Sequence, residues 1–503
     1  MSLIKRNLAA NLVGNLWMPL LLVAVVPLYV ELFGVEAFGL IGFFVTIQIL
    51  LSQFDLGLSM TLNRELARLS VQERKTQEMR DLVRTLELIY WAVGLAAGLL
   101  VVVAADWIGH SWVHPKVMSE ASVSHAIMLM GAALACMWPT SLYAGGLTGL
   151  QRQVLLNVVN IVMYTVRFAG ALLVLWLISP TIQAFFLWQA IAGLAHAAAL
   201  AVCLWRNLGP AAGATAAFQW ERLRSVWQFA AALWIVTVLY TVVNAADRVI
   251  LSKMVSLEEF GYYSVAGLAA GAFARLFTAM FTALCPRFAQ LAALNQTDEL
   301  KLLYHRGSQV LAVILFSLVA VTAFFSKEIL TVWTNNPDVA DHAGLALGFL
   351  AIGTAFYGMG SVAYALQLAY GWTRLAMGGY ATAVIVMPPV IYLLTVRYGL
   401  PGAAFSCIVL NVGLVLALVP LMHRRLLKSE MWPWYLKDIA LPILAALAVT
   451  VPARMCFPGH LTRLGTTLYL AATTTLALAF TAFVAPQTRA IIFEYVGRVR
   501  KPR

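Results

Sequence analysis

The sequence predicts an all-α polytopic membrane protein: about fourteen transmembrane helices in two parallel six-helix lobes, followed by a C-terminal helix pair. Three observations predict it. Of 503 residues, 62% are hydrophobic and only 11% are charged, whereas soluble chains carry roughly 25% charged residues. Apolar runs of roughly 20 residues recur from end to end, each long enough to cross a ~30 Å hydrocarbon core as a helix that satisfies its own backbone. The chain also echoes itself at an offset of 222 residues, Glu36, Phe38 and Gly39 returning as Glu258, Phe260 and Gly261.

The echo keeps its spacing. Leu69 pairs with Leu291, Arg84 with Arg306, Gly149 with Gly371 and Arg152 with Arg374. Apolar segments match one another cheaply, so the loop positions carry the weight: GLQR at Gly149 to Arg152 answers GWTR at Gly371 to Arg374. Such self-similarity marks a duplicated architecture. Six spans per half is an even number, so the halves share one orientation and relate by an axis along the membrane normal.

In order, spans are expected at about 10–32, 38–62, 82–105, 124–150, 154–178 and 184–205, then at 227–254, 262–286, 308–331, 342–370, 376–396 and 403–422, with a last pair at 439–456 and 465–485. The N-lobe is expected over 1–206, the C-lobe over 227–424, and the last helix pair with a basic tail over 425–503. Between the lobes, 207–226 reads as a linker, rich in Gly and Ala and then amphipathic from Trp220 to Trp227. The first run follows Lys5 and Arg6 as a secretory signal would, but it is longer than a signal core and lacks an A-x-A cleavage site, so it is expected to remain as a helix. Pro19, Pro27, Pro139 and the Pro388-Pro389 pair fall within spans, where each frees a backbone carbonyl and bends the helix.

The charge distribution fixes an orientation. With the N-terminus in the cytoplasm, Lys116, Lys253, Lys327, Arg397, Arg454 and Arg463 fall on or near the far side and Arg167, Arg248 and Arg275 fall within spans, leaving the other 25 of the 34 Lys and Arg cytoplasmic. Both termini are then cytoplasmic. The charged stretch from Arg64 to Arg84, its counterpart from Arg287 to Arg306, and the tail with Arg489, Arg498, Arg500, Lys501 and Arg503 read as anchors to the anionic headgroups of membrane lipids rather than as a nucleic-acid surface. Outside loops are short, and the longest, about 106–123, offers only His110, His114, Lys116 and Glu120 as titratable company for Asp106. That leaves little room for an external catalytic domain. The cysteines Cys136, Cys203, Cys285, Cys407 and Cys456 follow no metal or disulfide spacing, so neither metal nor cofactor is implied.

Charges within spans are the candidate functional residues. A lipid-exposed arginine at a helix centre costs at least ~2.5–3.5 kcal/mol, so Arg167 in the fifth span and Arg275 in the eighth should face protein or a water-filled cavity. Structural pairing is one reading; one arginine per half, with no carboxylate at similar depth in either span, favours an anion-binding cavity. Asp247 and Arg248 are adjacent and point about 100° apart on a helix, so each needs another partner. Asn244 and Arg248 share a face at i,i+4 spacing, although snorkelling to the helix end also accounts for Arg248. Asp55, Asp247 and Arg64 are the candidate gate or coupling residues, with a buried cap for the neighbouring helix as the other reading of Asp55.

FDLGLSMTLNRELARL from Phe54, GLQRQ from Gly149 and DRVILSKMVSLEEFGYYSVA from Asp247 resemble the Wzx-type oligosaccharide flippases of bacterial surface polysaccharide synthesis, within the multidrug/oligosaccharidyl-lipid/polysaccharide exporter superfamily. The resemblance covers nearly the whole chain. It implies a bacterial inner-membrane protein whose central cavity opens alternately to each side. Its substrate would be an oligosaccharide on a polyprenyl diphosphate, turned from the cytoplasmic to the outer leaflet, and a polysaccharide polymerase is the protein partner it admits. The implied cavity is cationic, a role Arg167, Arg248 and Arg275 could fill, with Asn160, Tyr240 and Asn244 as polar and aromatic walls for the sugar. Forked guanidinium donors match a diphosphate. Two other readings are weighed against it. A cation-coupled drug antiporter of the same superfamily should place uncompensated Asp or Glu in its cavity, and a polyprenyl-dependent glycosyltransferase or polymerase should carry acidic pairs in a large external loop.

Overall fold

The computed structural model describes the backbone of residues 3–55, 57–72, 75–209 and 216–499, and their side chains except for 3–13, 15, 16, 221–236 and 495–499. Helices follow one another as α1 (Leu3–Leu51), α2 (Leu58–Leu69), α3 (Thr76–Trp107), α4 (Glu120–Met137), α5 (Thr140–Gly149), α6 (Gln153–Leu177), α7 (Ile182–Asn207) and α8 (Trp220–Met254). They continue as α9 (Leu257–Gly271), α10 (Ala274–Ala293), α11 (Thr297–Phe324), α12 (Ser326–Thr334), α13 (Pro337–Ala369), α14 (Arg374–Arg425), the short α15 (Met431–Pro433), α16 (Leu441–Met455), α17 (Arg463–Val484) and α18 (Pro486–Val499). Among the described residues there is no strand, only an isolated bridge between His114 and Ser256.

Eleven described segments are long and apolar enough to cross a membrane. A straight 52-residue helix such as α14 would be about 78 Å long at ~1.5 Å per residue, more than twice the hydrocarbon core. Gly399, at φ 61° and ψ −140°, interrupts it, and Gly34, at φ 81° and ψ 170°, interrupts α1 in the same way. Only glycine takes such angles without strain. Counting each of these as two passes and adding the 35-residue α8 brings eleven to the expected fourteen, so the all-α transporter-type fold is as predicted.

The helices pack into two compact units, Met1–Gly261 and Tyr262–Arg503. This division is one of packing, whereas the boundary expected at 207–226 rests on the repeat along the chain. In the first unit α2 presents Leu58, Leu62, Leu66 and Leu69 at helical spacing, and all four are buried against Leu82, Val83 and Leu86 of α3, Leu142 and Leu147 of α5, and Leu200 and Leu204 of α7. The polar face of α2 carries Arg64 and Arg68, which both pair with Glu65, at 3.0 and 2.8 Å. The connection toward α8 is held by α3: the Asp81 carboxylate accepts from the Ala217 amide at 3.0 Å and from the Gln219 side chain at 2.9 Å. Trp220 to Trp227 forms the opening turns of α8. In the second unit α11 is the buried axis, with Leu311 and Leu315 packed among Phe277 of α10, Met359 and Val362 of α13, and Val415 of α14.

Two helix interruptions bear on the site. The second pass of α1 ends in a 3₁₀ turn at Ser52–Asp55, and Gly57, at φ 74°, opens α2. In the second unit α9 stops at Gly271 and α10 restarts at Ala274. The 222-residue offset carries the 272–273 break onto 50–51, immediately before the Ser52–Asp55 turn, so the two halves interrupt a span within a few residues of the same repeat position. Broken helices expose backbone dipoles inside a membrane protein where they line a polar path.

Candidate functional site

The first unit contains a polar seam between α6 and α7. Asn160, Tyr164 and Arg167 lie at i, i+4 and i+7 on α6 and so share one face, while Gln189 and His196 are seven residues apart on α7. The Arg167 Nε donates to Oε1 of Gln189, and its guanidinium carbon lies 5.1 Å from the centroid of the Phe168 ring. The Asn160 Oδ1 lies 2.9 Å from Nε2 of His196, whose ring meets Tyr164 edge-on at 5.4 Å. From α1, the Tyr29 hydroxyl donates to the Phe168 carbonyl at 2.6 Å, and the Trp17 indole donates to the Thr165 hydroxyl at 2.9 Å.

This seam lacks a counter-charge. Among the described residues no carboxylate reaches ion-pair distance of Arg167, whose single side-chain acceptor, Gln189, is neutral. Gln189 is 1% exposed, and its Nε2 has no partner among the described residues. The seam can therefore donate hydrogen bonds to an acceptor-rich group and has none of the acidic chemistry that binds cations.

The other expected residues fall in different places. Tyr240, Asn244 and Arg248 share a face of α8 as their spacing predicts, but the Asn244 amide donates to the Tyr240 carbonyl at 2.8 Å. Asn244 thereby spends one of its two amide hydrogens within its own helix and keeps the other, with its carbonyl oxygen, for a further partner. Arg248 is partly buried and, among the described residues, has no ion-pair partner; Asp247 is partly buried beside it. Arg275 is exposed at the first turn of α10, immediately after the break, instead of in the middle of an unbroken span. Asp55 caps the start of α2, accepting from the Ser59 hydroxyl at 2.8 Å and the Ser59 amide at 3.3 Å. Arg64 lies on the exposed face of α2, paired with Glu65. Arg167 and the α8 trio belong to the first unit and Arg275 to the second.

Sequence reasoning missed Gln189 and His196, although two buried polar residues seven apart in an apolar span are a visible signal. It also missed a cluster in the second unit. His305 of α11 lies 2.5 Å from Asp438 and 3.2 Å from Glu430, Gln309 donates to Asp438 at 2.8 Å, and Lys301 lies 3.2 Å from Glu430. Burial works to raise the Glu430 carboxyl, but the hydrogen bonds from Lys301 and His305 outweigh it and hold that carboxyl below its ordinary range. These partners lie about 125 or more residues apart in sequence, so no local pattern announces them.

Comparison with known proteins places the fold. The family described as polysaccharide biosynthesis protein matches residues 4–292, and the MatE family matches residues 232–393. No curated protein matches. Among solved structures the chain is similar to the lipid II flippase MurJ in an inward closed conformation, at 12% identity and a TM-score of 0.69 over 95% of this chain and 99% of that one. It is similar also to an inward-facing multidrug resistance MATE family transporter of the MOP superfamily, at 12% identity and a TM-score of 0.67 over 81% and 94%. A third likeness is to a mutant of the Vibrio cholerae MATE transporter VcmN, at 15% identity and a TM-score of 0.56 over 86% and 98%. At such identities these are likenesses of fold. The family match spans more than half of the chain, and on that ground the chain belongs to the polysaccharide biosynthesis protein family.

Proposed function

We propose that this membrane transporter is a flippase for polyprenyl-diphosphate-linked oligosaccharide repeat units, moving them from the cytoplasmic to the outer leaflet of a bacterial inner membrane by alternating access. The observation that carries this reading is the carboxylate-free seam around Arg167. A diphosphate needs forked donors, a sugar needs acceptors and aromatic faces of the kind Asn160, His196 and Tyr164 offer, and the lipid tail can stay in the bilayer. Arg275, at the break between α9 and α10, is the proposed second cation, with Arg248 a third. The lobes are taken as 1–206 and 227–424, with both termini cytoplasmic, and a polysaccharide polymerase as the protein partner. With a negative interior, carrying two negative charges outward gains up to roughly 4.6 kcal/mol per 100 mV, twice the single-charge figure.

The test is complementation of surface polysaccharide in a flippase-null strain, normalised to protein in the membrane. Arg167→Ala with Arg275→Ala should abolish complementation at normal abundance, and Arg275→Lys should restore part of it because the charge remains while the planar fork is lost. Full activity of the double alanine variant at normal abundance removes both residues from the binding site. Export of a cationic drug by the wild-type protein, without complementation, would favour the antiporter reading.

A further inference from the structure

At the face assigned to the outside by the charge bias, two segments related by the 222-residue repeat grip each other. Both lie in the first unit. A methyl group built on Gly39 would stand 2.3 Å from the Leu257 carbonyl oxygen, and one built on Gly261 would stand 2.2 Å from the Val35 carbonyl oxygen. Val35 and Leu257, like Gly39 and Gly261, are 222 residues apart. The contact is reciprocal: Gly39 meets Leu257, and their repeat copies Gly261 and Val35 meet in the same way, the signature of a local two-fold axis passing between the segments. Close backbone approach of this kind needs glycine on both sides.

The loop before α4 is clasped by the same repeat pair. Glu36, 7% exposed, accepts from the backbone N–H of Lys116 at 2.5 Å, of Val117 at 3.0 Å and of Met118 at 3.2 Å. Its repeat copy Glu258 lies 3.6 Å from the Lys116 ammonium. The Leu257 amide donates to the His114 carbonyl at 2.9 Å, and the Lys253 ammonium sits 4.9 Å from the Trp112 ring centroid. Ser256 and Glu259 form a reciprocal capping box that fixes where α9 begins, Ser256 N donating to Glu259 at 3.0 Å and Glu259 N to Ser256 Oγ at 3.3 Å.

We propose that this assembly is the outer gate of the transport path, with Lys116 as its bolt: Glu36 holds the 116–118 loop permanently through three amides, and Glu258 catches the ammonium only while the segments 35–39 and 257–261 touch. A route along the local two-fold axis is shut where equivalent backbones meet on that axis. The two halves of the clasp differ in strength as a gate requires. The Glu36 carboxylate is buried and triply bonded, whereas the Lys116–Glu258 pair is exposed on both sides, at 56% and 39%, and such pairs add little stability. Around Gly39 and Gly261 the flanking Phe38, Leu40, Leu257 and Phe260 are buried, so the backbone contact is the sealed part of the gate and the exposed Lys116–Glu258 pair is its releasable part.

The proposal rests on the transporter reading and not on the identity of the cargo. Spin labels on Val117→Cys and Val255→Cys, which leave Lys116 and Glu258 in place, in an otherwise cysteine-free protein in lipid, should show a short distance and a second, longer population. Gly39→Ala should enlarge the longer population, since its methyl collides with the Leu257 carbonyl, and a short bifunctional thiol reagent joining the two cysteines should abolish it together with complementation, both returning on reduction. A single short distance in the parent and in Gly39→Ala overturns the gate, as does undiminished complementation by the bridged protein. Lys116→Glu should lower complementation and Lys116→Glu with Glu258→Lys should restore it; no restoration at equal abundance removes Lys116 as the bolt. If the distance populations behave as stated while the wild-type protein complements no flippase-null strain, the gate stands and the lipid-linked oligosaccharide reading falls.

Discussion

Arg167 separates structural from ligand-binding roles because its neighbour is an amide. Gln189 holds Nε of the guanidinium without neutralising it, so the charge remains available to an anion. Gln189→Glu should raise or preserve protein abundance by adding a counter-charge, yet weaken binding of a polyprenyl diphosphate roughly ten- to a hundredfold, the equivalent of losing one charge-assisted hydrogen bond of about 1.5–3 kcal/mol. Gln189→Leu should instead lower abundance, since the guanidinium loses its one side-chain acceptor within an apolar span. Calorimetric binding beside quantified membrane protein checks both; equal affinity of Gln189→Glu and wild type places the diphosphate elsewhere. Asp55 illustrates the opposite case: one residue, read as gate or cap from sequence, is engaged by Ser59 at the start of α2.

At the scale of elements, α2 and the cluster around His305 make different demands. Leu62 is fully buried among four helices, so Leu62→Ala should cost about 2–5 kcal/mol and lower the thermal midpoint in detergent without changing ligand affinity per folded molecule. Glu430 ties the stretch before α15 to Lys301 and His305 of α11, and its carboxyl is held below its ordinary range. A carboxylate depressed in the folded state contributes stability that is fully present above its unfolded value and is lost as pH falls through the folded one. Acidification below about pH 4.3, the ordinary Glu value, should therefore release this stretch, seen as faster hydrogen exchange over 430–440; Glu430→Gln should flatten that acid response. An unchanged response in Glu430→Gln assigns it to other groups.

For the whole molecule, the Lys and Arg bias gives a topology that can be tested without knowing the cargo. In a cysteine-free background, Gln72→Cys should react only with reagent admitted to the cytoplasm, whereas Val117→Cys, 88% exposed, should react from outside. External labelling at Gln72 reverses the orientation and with it the direction of transport. Of the site, Arg167 and Asn160 were legible as polar residues on one helical face, because 3.6-residue periodicity is a local property. Their partners on α7 were not, since nothing local says which face of one apolar helix meets another.

Composition and run length by themselves determined that the chain crosses a membrane as helices about fourteen times, because a lipid core leaves the backbone few other ways to satisfy its hydrogen bonds. The 222-residue echo determined that the architecture repeats. Only the tertiary structure decided where spans break, at Gly57 and between Gly271 and Ala274, since interruptions follow packing and backbone angle as well as hydropathy. It alone paired Arg167 with Gln189 and His305 with Asp438, and it alone brought Gly39 against Leu257. Contacts between residues distant in sequence arise from helix packing, and a periodic apolar sequence leaves many such packings open.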